Sequence, residues 1–125
     1  MASRNEIYLC EKCGNLVEVL EGGVGTLTCC GAPMVRLIEK KTDKGLEKHV
    51  PVLEEKDDGV LVKVGDVPHP MEEEHHIVMI ELIQGDCSQK KFLKAGEAPQ
   101  AFFKNASLKG AIAREYCNVH GLWKA

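Results

Sequence analysis

Near the end of the chain lies the stretch that organises it, Glu115-Tyr116-Cys117-Asn118-Val119-His120-Gly121-Leu122-Trp123. Cys117 and His120 are three residues apart, a spacing that lets a thiolate and an imidazole reach one metal ion from a tight turn. A Cys-x-x-His pair alone is weak evidence, because short coincidences of Cys and His are common. Three further histidines lie upstream in distinctive local settings, namely His49, His69 and His75. A single metal site results if these four segments meet in the fold.

Composition excludes several classes of function. The chain has 125 residues, 44% of them hydrophobic, with a formal net charge of −3 and a pI near 5.9. This length suits one ordinary domain, or one with a small metal-stapled appendage. The acidic balance argues against nucleic acid as the main partner, and no apolar run approaches the roughly 20 residues that span a bilayer. The polar start of the chain lacks a secretory signal, so we expect a cytoplasmic protein in which clustered thiols mark a metal.

Four of the six cysteines lie in the first thirty residues. Cys10 and Cys13 form a Cys-x-x-Cys-Gly knuckle, and Cys29 and Cys30 follow after fifteen intervening residues. Four thiolates complete a tetrahedral site, and so short a segment needs such a staple to fold. Spacing alone favours a structural zinc ribbon. Adjacent cysteines are nevertheless unusual there, because neighbouring side chains must bend to reach one ion, and a vicinal disulfide is a remoter alternative.

The pattern along the chain predicts strands throughout. Short apolar strands at residues 7–9 and 16–20 precede a charged connection over residues 39–45, which places the domain boundary near residue 39. Beyond it we expect about seven short strands with turns every 8–12 residues, the pattern of a small antiparallel sandwich. The predicted strands cover residues 50–53, 60–64, 76–83, 91–94, 101–103 and 111–116.

The histidine settings favour a metal site. His49 lies two residues before a proline, and His69 is flanked by prolines on both sides, so both are rigidly held. His75 is adjacent to His76 at the predicted start of a strand, where neighbours point to opposite faces. At most one of the two is expected to share a site with His69, and periodicity does not choose between them. Such a set suits iron, copper or zinc, although five strong ligands including one sulfur fit redox iron better than zinc.

Together these segments resemble a known family. Three segments are similar, in order and spacing, to those of superoxide reductase, namely Glu47-Lys48-His49-Val50-Pro51, residues 69–75 and residues 117–122. The front cysteines resemble desulforedoxin, a small dimeric protein with a rubredoxin-type Fe(Cys)4 centre, which favours iron over zinc. The whole chain therefore resembles the desulfoferrodoxin family, the two-iron form of superoxide reductase.

The resemblance implies an all-β fold, with a desulforedoxin-like metal-stapled domain over residues 1–38 and an immunoglobulin-like antiparallel β-sandwich over residues 39–125. It implies two iron ions. One would be bound by Cys10, Cys13, Cys29 and Cys30; the other, a catalytic ferrous iron, would have His49, His69, His75 and His120 in its equatorial plane and Cys117 as axial ligand. By the same pattern, Glu47 is the carboxylate that can occupy the sixth position in the oxidised state, and Lys48 is the cation beside that open position. The chain departs from the family pattern at His76 and Met79, and Cys87 matches no ligand motif.

The implied activity is one-electron reduction of superoxide to hydrogen peroxide without release of dioxygen, in oxidative-stress defence. The family suggests a rubredoxin-like electron donor and a homodimer. A non-catalytic two-iron electron carrier is the main alternative, and a structural zinc-binding module is the second. A non-haem oxygenase fits less well, because that chemistry commonly uses two histidines and one carboxylate.

Overall fold

The computed structural model describes residues 2–42, 49–65 and 69–125. The chain divides into two compact units, Met1–Ile38 and Glu39–Ala125. Within the described ranges the secondary structure consists of twelve β-strands, which confirms the all-β prediction. No helix with the length and apolar character needed to cross a membrane occurs there.

The first unit is built from five short strands. A three-stranded antiparallel sheet has the order β2-β1-β5, and a two-stranded hairpin pairs β3 with β4. The bounds are β1 Ile7–Leu9, β2 Leu16–Glu18, β3 Thr28–Cys29, β4 Ala32–Pro33 and β5 Val35–Leu37. The buried apolar residues of this unit are few, namely Ile7, Cys10 and Val19. So small a core needs a covalent or metal cross-link for stability.

The second unit is a sandwich of two antiparallel sheets. One sheet has the order β10-β7-β6 and comprises β6 Pro51–Lys56, β7 Gly59–Val64 and β10 Gln100–Lys104. The other has the order β12-β11-β8-β9 and comprises β8 Ile77–Gln84, β9 Cys87–Phe92, β11 Ala111–Cys117 and β12 Gly121–Lys124. This arrangement agrees with the predicted immunoglobulin-like β-sandwich.

The core of the sandwich lies between these sheets. On β7 the side chains of Val60, Val62 and Val64 are buried in alternation, as the two-residue period of a strand requires. They pack with Ile80 and Leu82 of β8. Each such burial contributes about 1.5–3 kcal/mol, so these side chains supply the apolar core that joins the two sheets.

The structure corrects four details of the sequence interpretation. β12 was not predicted, because four residues beginning with glycine show no alternation. β9 begins at Cys87, four residues before the strand predicted at residues 91–94, because its exposed side chains carry no apolar pattern that marks its start. His75 precedes the first residue of β8, Ile77, and so does not begin that strand. Lys40, assigned to the connection, forms a parallel bridge with Trp123.

Candidate metal centres

Five side chains of the second unit converge at one end of the β12-β11-β8-β9 sheet. Cys117 ends β11 and is paired with both Ile77, the first residue of β8, and Gly121, the first of β12. The ligand atoms of the group all lie within 4.8 Å of one another, and its members are His49, His69, His75, Cys117 and His120. The structure therefore brings together the histidines and the cysteine that the resemblance had placed at one iron.

The four imidazole rings form a closed cycle. The ring centroids of His49 and His69 are 4.7 Å apart, and those of His69 and His75 are 4.9 Å apart. The cycle continues from His75 to His120 at 5.0 Å and closes from His120 to His49 at 4.7 Å. The four imidazole rings thus surround one point at nearly equal spacing.

Distances within the group fit a metal ion. His49 Nε2 lies 3.1 Å from His120 Nδ1. Two adjacent ligands with metal–nitrogen bonds of about 2.1 Å are about 3.0 Å apart in a square plane, which matches this pair. Cys117 Sγ lies 3.6 Å from His69 Nε2 and 3.9 Å from His120 Nδ1, so its sulfur approaches the same point. The sulfur is buried, with Cys117 0% exposed.

Neighbouring groups orient these donors. His69 Nδ1 donates a hydrogen bond to the carbonyl oxygen of Pro70 at 2.7 Å. The other ring nitrogen, Nε2, therefore carries the lone pair that can bind a metal ion. The backbone N–H of His120 donates to Cys117 Sγ at 3.4 Å. Such hydrogen bonds fix the tautomer of an imidazole ligand and lower the charge density on a thiolate.

Local backbone geometry explains how Cys117 and His120 come to share this point. The register of β11 on β8 shifts between Tyr116 and Cys117, and a bulge of this kind re-aims the following side chain. Gly121 has a φ of 88°, a left-handed conformation that reverses the chain directly after His120. The pKa of Tyr116 is raised, first by burial and then by the neighbouring charge of Cys117.

Two further residues hold the turn and were missed by sequence reasoning. The side chain of Asn118 accepts the N–H of His76 at 2.9 Å and donates to the carbonyl oxygen of Glu74 at 3.2 Å, which ties the turn to the segment that carries His75. The ring of Trp123 stacks on His49 with an interplanar angle of 14°. No local signal announces either contact, because the partners are more than forty residues apart in sequence.

The other residues singled out in the sequence are not members of this five-residue group. His76 lies outside the group, and its Nδ1 is 3.0 Å from the carbonyl oxygen of Glu72. Met79 is buried opposite Phe92 and Tyr116 on the sheet. Cys87 is an exposed free thiol. Glu47 and Lys48 lie outside the described residues.

The four cysteines of the first unit form a second group. Their sulfur atoms all lie within 4.8 Å of one another, with Cys13 and Cys29 at 3.6 Å and Cys29 and Cys30 at 3.9 Å. A tetrahedron with metal–sulfur bonds of about 2.3 Å has edges of about 3.8 Å, so the group fits one four-coordinate metal. Cys30 has a φ of 52°, and this left-handed backbone is how two adjacent cysteines reach the same point. All four are free thiols, which excludes the vicinal disulfide.

The thiols of this group differ in acidity. The backbone N–H of Cys13 donates to the sulfur of Cys10 and lowers the pKa of that thiol to about 6. Hydrogen bonding of Cys30, first to the sulfur of Cys13 and then to that of Cys29, raises its pKa to about 12. Because a metal binds thiolates, its binding here releases protons, and affinity falls as pH falls.

Comparisons with known proteins agree with this geometry. The family model described as Desulfoferrodoxin matches residues 41–125, and the model described as Desulfoferrodoxin, N-terminal domain matches residues 2–37. The desulfoferrodoxin of Nitratidesulfovibrio vulgaris is 54% identical over 125 residues, covering 100% of this chain and 98% of that protein. The superoxide reductase of Pyrococcus horikoshii is 40% identical over 96 residues, covering 62% of this chain and 84% of that protein.

A solved structure has the same fold along its whole length. The crystal structure of the superoxide reductase from Treponema pallidum superposes with a TM-score of 0.79 at 27% identity and covers 99% of both chains. Desulfoferrodoxins have two iron centres, and the four-cysteine group and the group of four histidines and one cysteine match them. The resemblance inferred from the sequence is confirmed: the chain belongs to the desulfoferrodoxin family.

Proposed function

We propose that this protein is a superoxide reductase, which converts superoxide into hydrogen peroxide by one-electron reduction without releasing dioxygen. The observation that carries the proposal is the closed cycle of four imidazole rings together with the sulfur of Cys117, which lies close to two of them. Superoxide reductases among the relatives and solved structures support it.

In this proposal an iron ion would be held by the imidazoles of His49, His69, His75 and His120 and by the sulfur of Cys117. When bound as Fe(II), the iron supplies the one electron that, with two protons, turns superoxide into hydrogen peroxide. No second substrate and no oxygen-atom transfer are needed for this balance.

The protein supplies the charge and the shape of the site. Four neutral imidazoles and one thiolate carry a total charge of −1, so a ferrous ion among them keeps a net positive charge that attracts an anion. The buried sulfur of Cys117 is an electron-rich donor, and the N–H of His120 moderates its charge from 3.4 Å. The hydrogen bond from His69 to the carbonyl of Pro70 holds that ring in position as the charge at the site changes.

Two residues beside His49 complete the proposed site by their match to the family pattern. Glu47 is proposed as the carboxylate that would bind the iron in its oxidised state. Lys48 is proposed as the cation that draws superoxide to the open position. A local positive charge can steer an anion although the whole chain has a net charge of −3.

We extend the proposal to the metal centre of the first unit and to the protein's partners and location. Residues 1–38 would form a domain with an Fe(Cys)4 one-electron centre, and residues 39–125 the superoxide reductase domain. A small rubredoxin-like protein is the proposed electron donor, the assembly a homodimer and the location the cytoplasm. Light scattering of the purified protein tests the homodimer directly.

The function is tested by metal analysis of the purified protein, followed by rapid mixing of the reduced form with superoxide. We expect two iron ions per chain and superoxide consumption that saturates as the superoxide concentration rises and continues while a reductant is supplied. Two irons without superoxide consumption would instead indicate an electron carrier. A colourless protein with two zinc ions would indicate a structural module.

A further inference from the structure

The backbone carbonyl of His120 accepts two hydrogen bonds from side chains outside the ligand group. Lys40 Nζ donates to this oxygen at 2.8 Å, and Trp123 Nε1 donates to it at 3.2 Å. Both donors belong to the second unit, and the bond from Lys40 joins residues eighty positions apart. The peptide that follows His120 is therefore held from two sides at the point where the chain turns.

Trp123 also contacts His49, and Lys40 in turn contacts Trp123. The ring of Trp123 stacks on the imidazole of His49, with ring centroids 4.7 Å apart. The ammonium group of Lys40 lies 5.3 Å from the centroid of the Trp123 ring, within the range of a cation–π interaction. Lys40 and Trp123 thus contact the two histidines whose Nε2 and Nδ1 atoms lie 3.1 Å apart.

The position of Lys40 does not depend on its side chain. Its backbone N–H donates to the carbonyl oxygen of Leu122, and its own carbonyl accepts the N–H of Lys124, each at 2.9 Å. These bonds dock the segment along β12, while the side chain is exposed to solvent. A substitution at Lys40 therefore removes the ammonium group and leaves the backbone docking in place.

We propose that Lys40 and Trp123 are positioning residues for the iron centre, which hold the adjacent ligands His49 and His120 at the separation that one metal ion requires. This inference rests on the proposed function, since it takes the histidine–cysteine group to bind iron. One metal ion can bind both His49 and His120 only if the two rings keep their relative position. Residues that hydrogen-bond to or pack against metal ligands typically contribute 10–100-fold to the affinity for the metal. The two hydrogen bonds to the His120 carbonyl also help to keep the hydrogen bond from the His120 N–H to Cys117 Sγ, because both groups belong to the same turn.

The test measures how fast the iron-loaded full-length protein loses iron to an excess of EDTA, together with its visible thiolate-to-iron absorption after oxidation. Lys40→Met should lose iron from the histidine–cysteine centre about 10-fold faster and shift that absorption. Lys40→Arg, which keeps a cationic donor, should restore both values. Lys41→Met removes a neighbouring exposed lysine and should match the wild type.

Trp123→Phe gives an independent measurement, because it keeps an aromatic ring over His49 but removes the indole N–H. It should also accelerate iron loss, with unchanged urea midpoints showing that the fold is intact. Iron loss and absorption equal to the wild type in both Lys40→Met and Trp123→Phe would overturn the inference. Iron loss and absorption are measured without superoxide, so they test the positioning roles separately from the proposed function. If Lys40 and Trp123 retain iron in a protein that has no reductase activity, only the proposed function is contradicted.

Discussion

At the scale of single residues, Cys117 is the ligand whose chemistry differs from its neighbours. It is the only sulfur among the five groups that converge in the second unit, and it is completely buried. A thiolate donates more electron density to a metal than an imidazole or a hydroxyl does. The reactivity of the centre should therefore depend on this atom.

Replacement of Cys117 by serine should abolish superoxide reduction while leaving the visible absorption of the four-cysteine centre unchanged. We expect a loss of more than about 100-fold, beyond the cost of removing an outer partner of a metal ligand. Rapid mixing with superoxide measures the loss. Cys87→Ser is the matched control, because Cys87 is an exposed free thiol on β9. Reductase activity retained in Cys117→Ser would remove the thiolate from the account.

The residues of the site were predictable mainly because their patterns are local. Cys-x-x-His, Cys-x-x-Cys and the proline-flanked His69 are each visible in a few consecutive letters. Strand periodicity could not show whether His75 or His76 is the ligand, because β8 begins only at Ile77 and neither histidine lies on a strand. The contacts of Lys40 and Trp123 were likewise hidden, since they depend on pairing between distant segments.

At the scale of elements, the strands β8, β9 and β11 are joined by a buried ionic cluster. Glu81 of β8 is 0% exposed and accepts hydrogen bonds from Arg114 of β11 at 2.6 Å and from Ser88 of β9 at 2.7 Å. Lys90 of β9 lies 3.0 Å from its second oxygen, and Arg114 also contacts Glu39 at 3.3 Å. We expect this cluster to help fix the register of the sheet that carries Cys117.

Removal of one member of this cluster should strongly destabilise the sandwich. Glu81→Leu leaves the guanidinium of Arg114 buried without its main partner, a change that costs about 3–5 kcal/mol. Urea unfolding of the iron-loaded protein measures the change in the free energy of unfolding. Glu55→Leu, at an exposed position on β6, is the control. A loss below about 1 kcal/mol would show that the cluster is not needed for the register.

A second prediction at this scale concerns pH. Lys63 Nζ of β7 lies 2.8 Å from Glu54 Oε2 of β6, and this ion pair holds the pKa of the Glu54 carboxyl below its ordinary value. A lowered carboxyl pKa contributes stability that is present at neutral pH and is lost as pH falls through the folded-state value. Glu54→Gln should therefore lower the melting temperature at pH 7, and the difference from wild type should disappear as pH falls through the lowered pKa of Glu54. Paired melting curves across this range measure it; a difference independent of pH would contradict the assignment.

Most of β9 and all of β12 were missed from the sequence, for two different physical reasons. β9 has six exposed side chains and lies at the edge of its sheet, so no apolar alternation marks it. β12 has only four residues and is specified by the turn at Gly121 and by its pairing with β11. By contrast β7 and β8 were predictable, because their buried side chains leave an apolar pattern in the sequence.

At the scale of the whole molecule, the two units differ in what holds them together. The sandwich has an extended apolar core, whereas the first unit buries little more than Ile7, Cys10 and Val19. The metal at the four cysteines should therefore provide most of the folding free energy of the first unit.

Removal of both metals by a chelator under reducing conditions should unfold the first unit and leave the sandwich folded. Amide NMR spectra of the metal-free protein should show collapsed signals for residues 7–37 and dispersed signals for the strands from β6 onward. Restoring a metal ion should recover the lost dispersion. Dispersed signals from β1, β2 and β5 without metal would show that the small core suffices.

The most direct test of the central claim is the stoichiometry of the products. The reduced protein is mixed with a known amount of superoxide, and hydrogen peroxide and dioxygen are both measured. Reduction at the histidine–cysteine centre predicts one hydrogen peroxide for each superoxide consumed and no dioxygen. Equal amounts of dioxygen and hydrogen peroxide would indicate dismutation, and would contradict the assignment of this protein as a superoxide reductase.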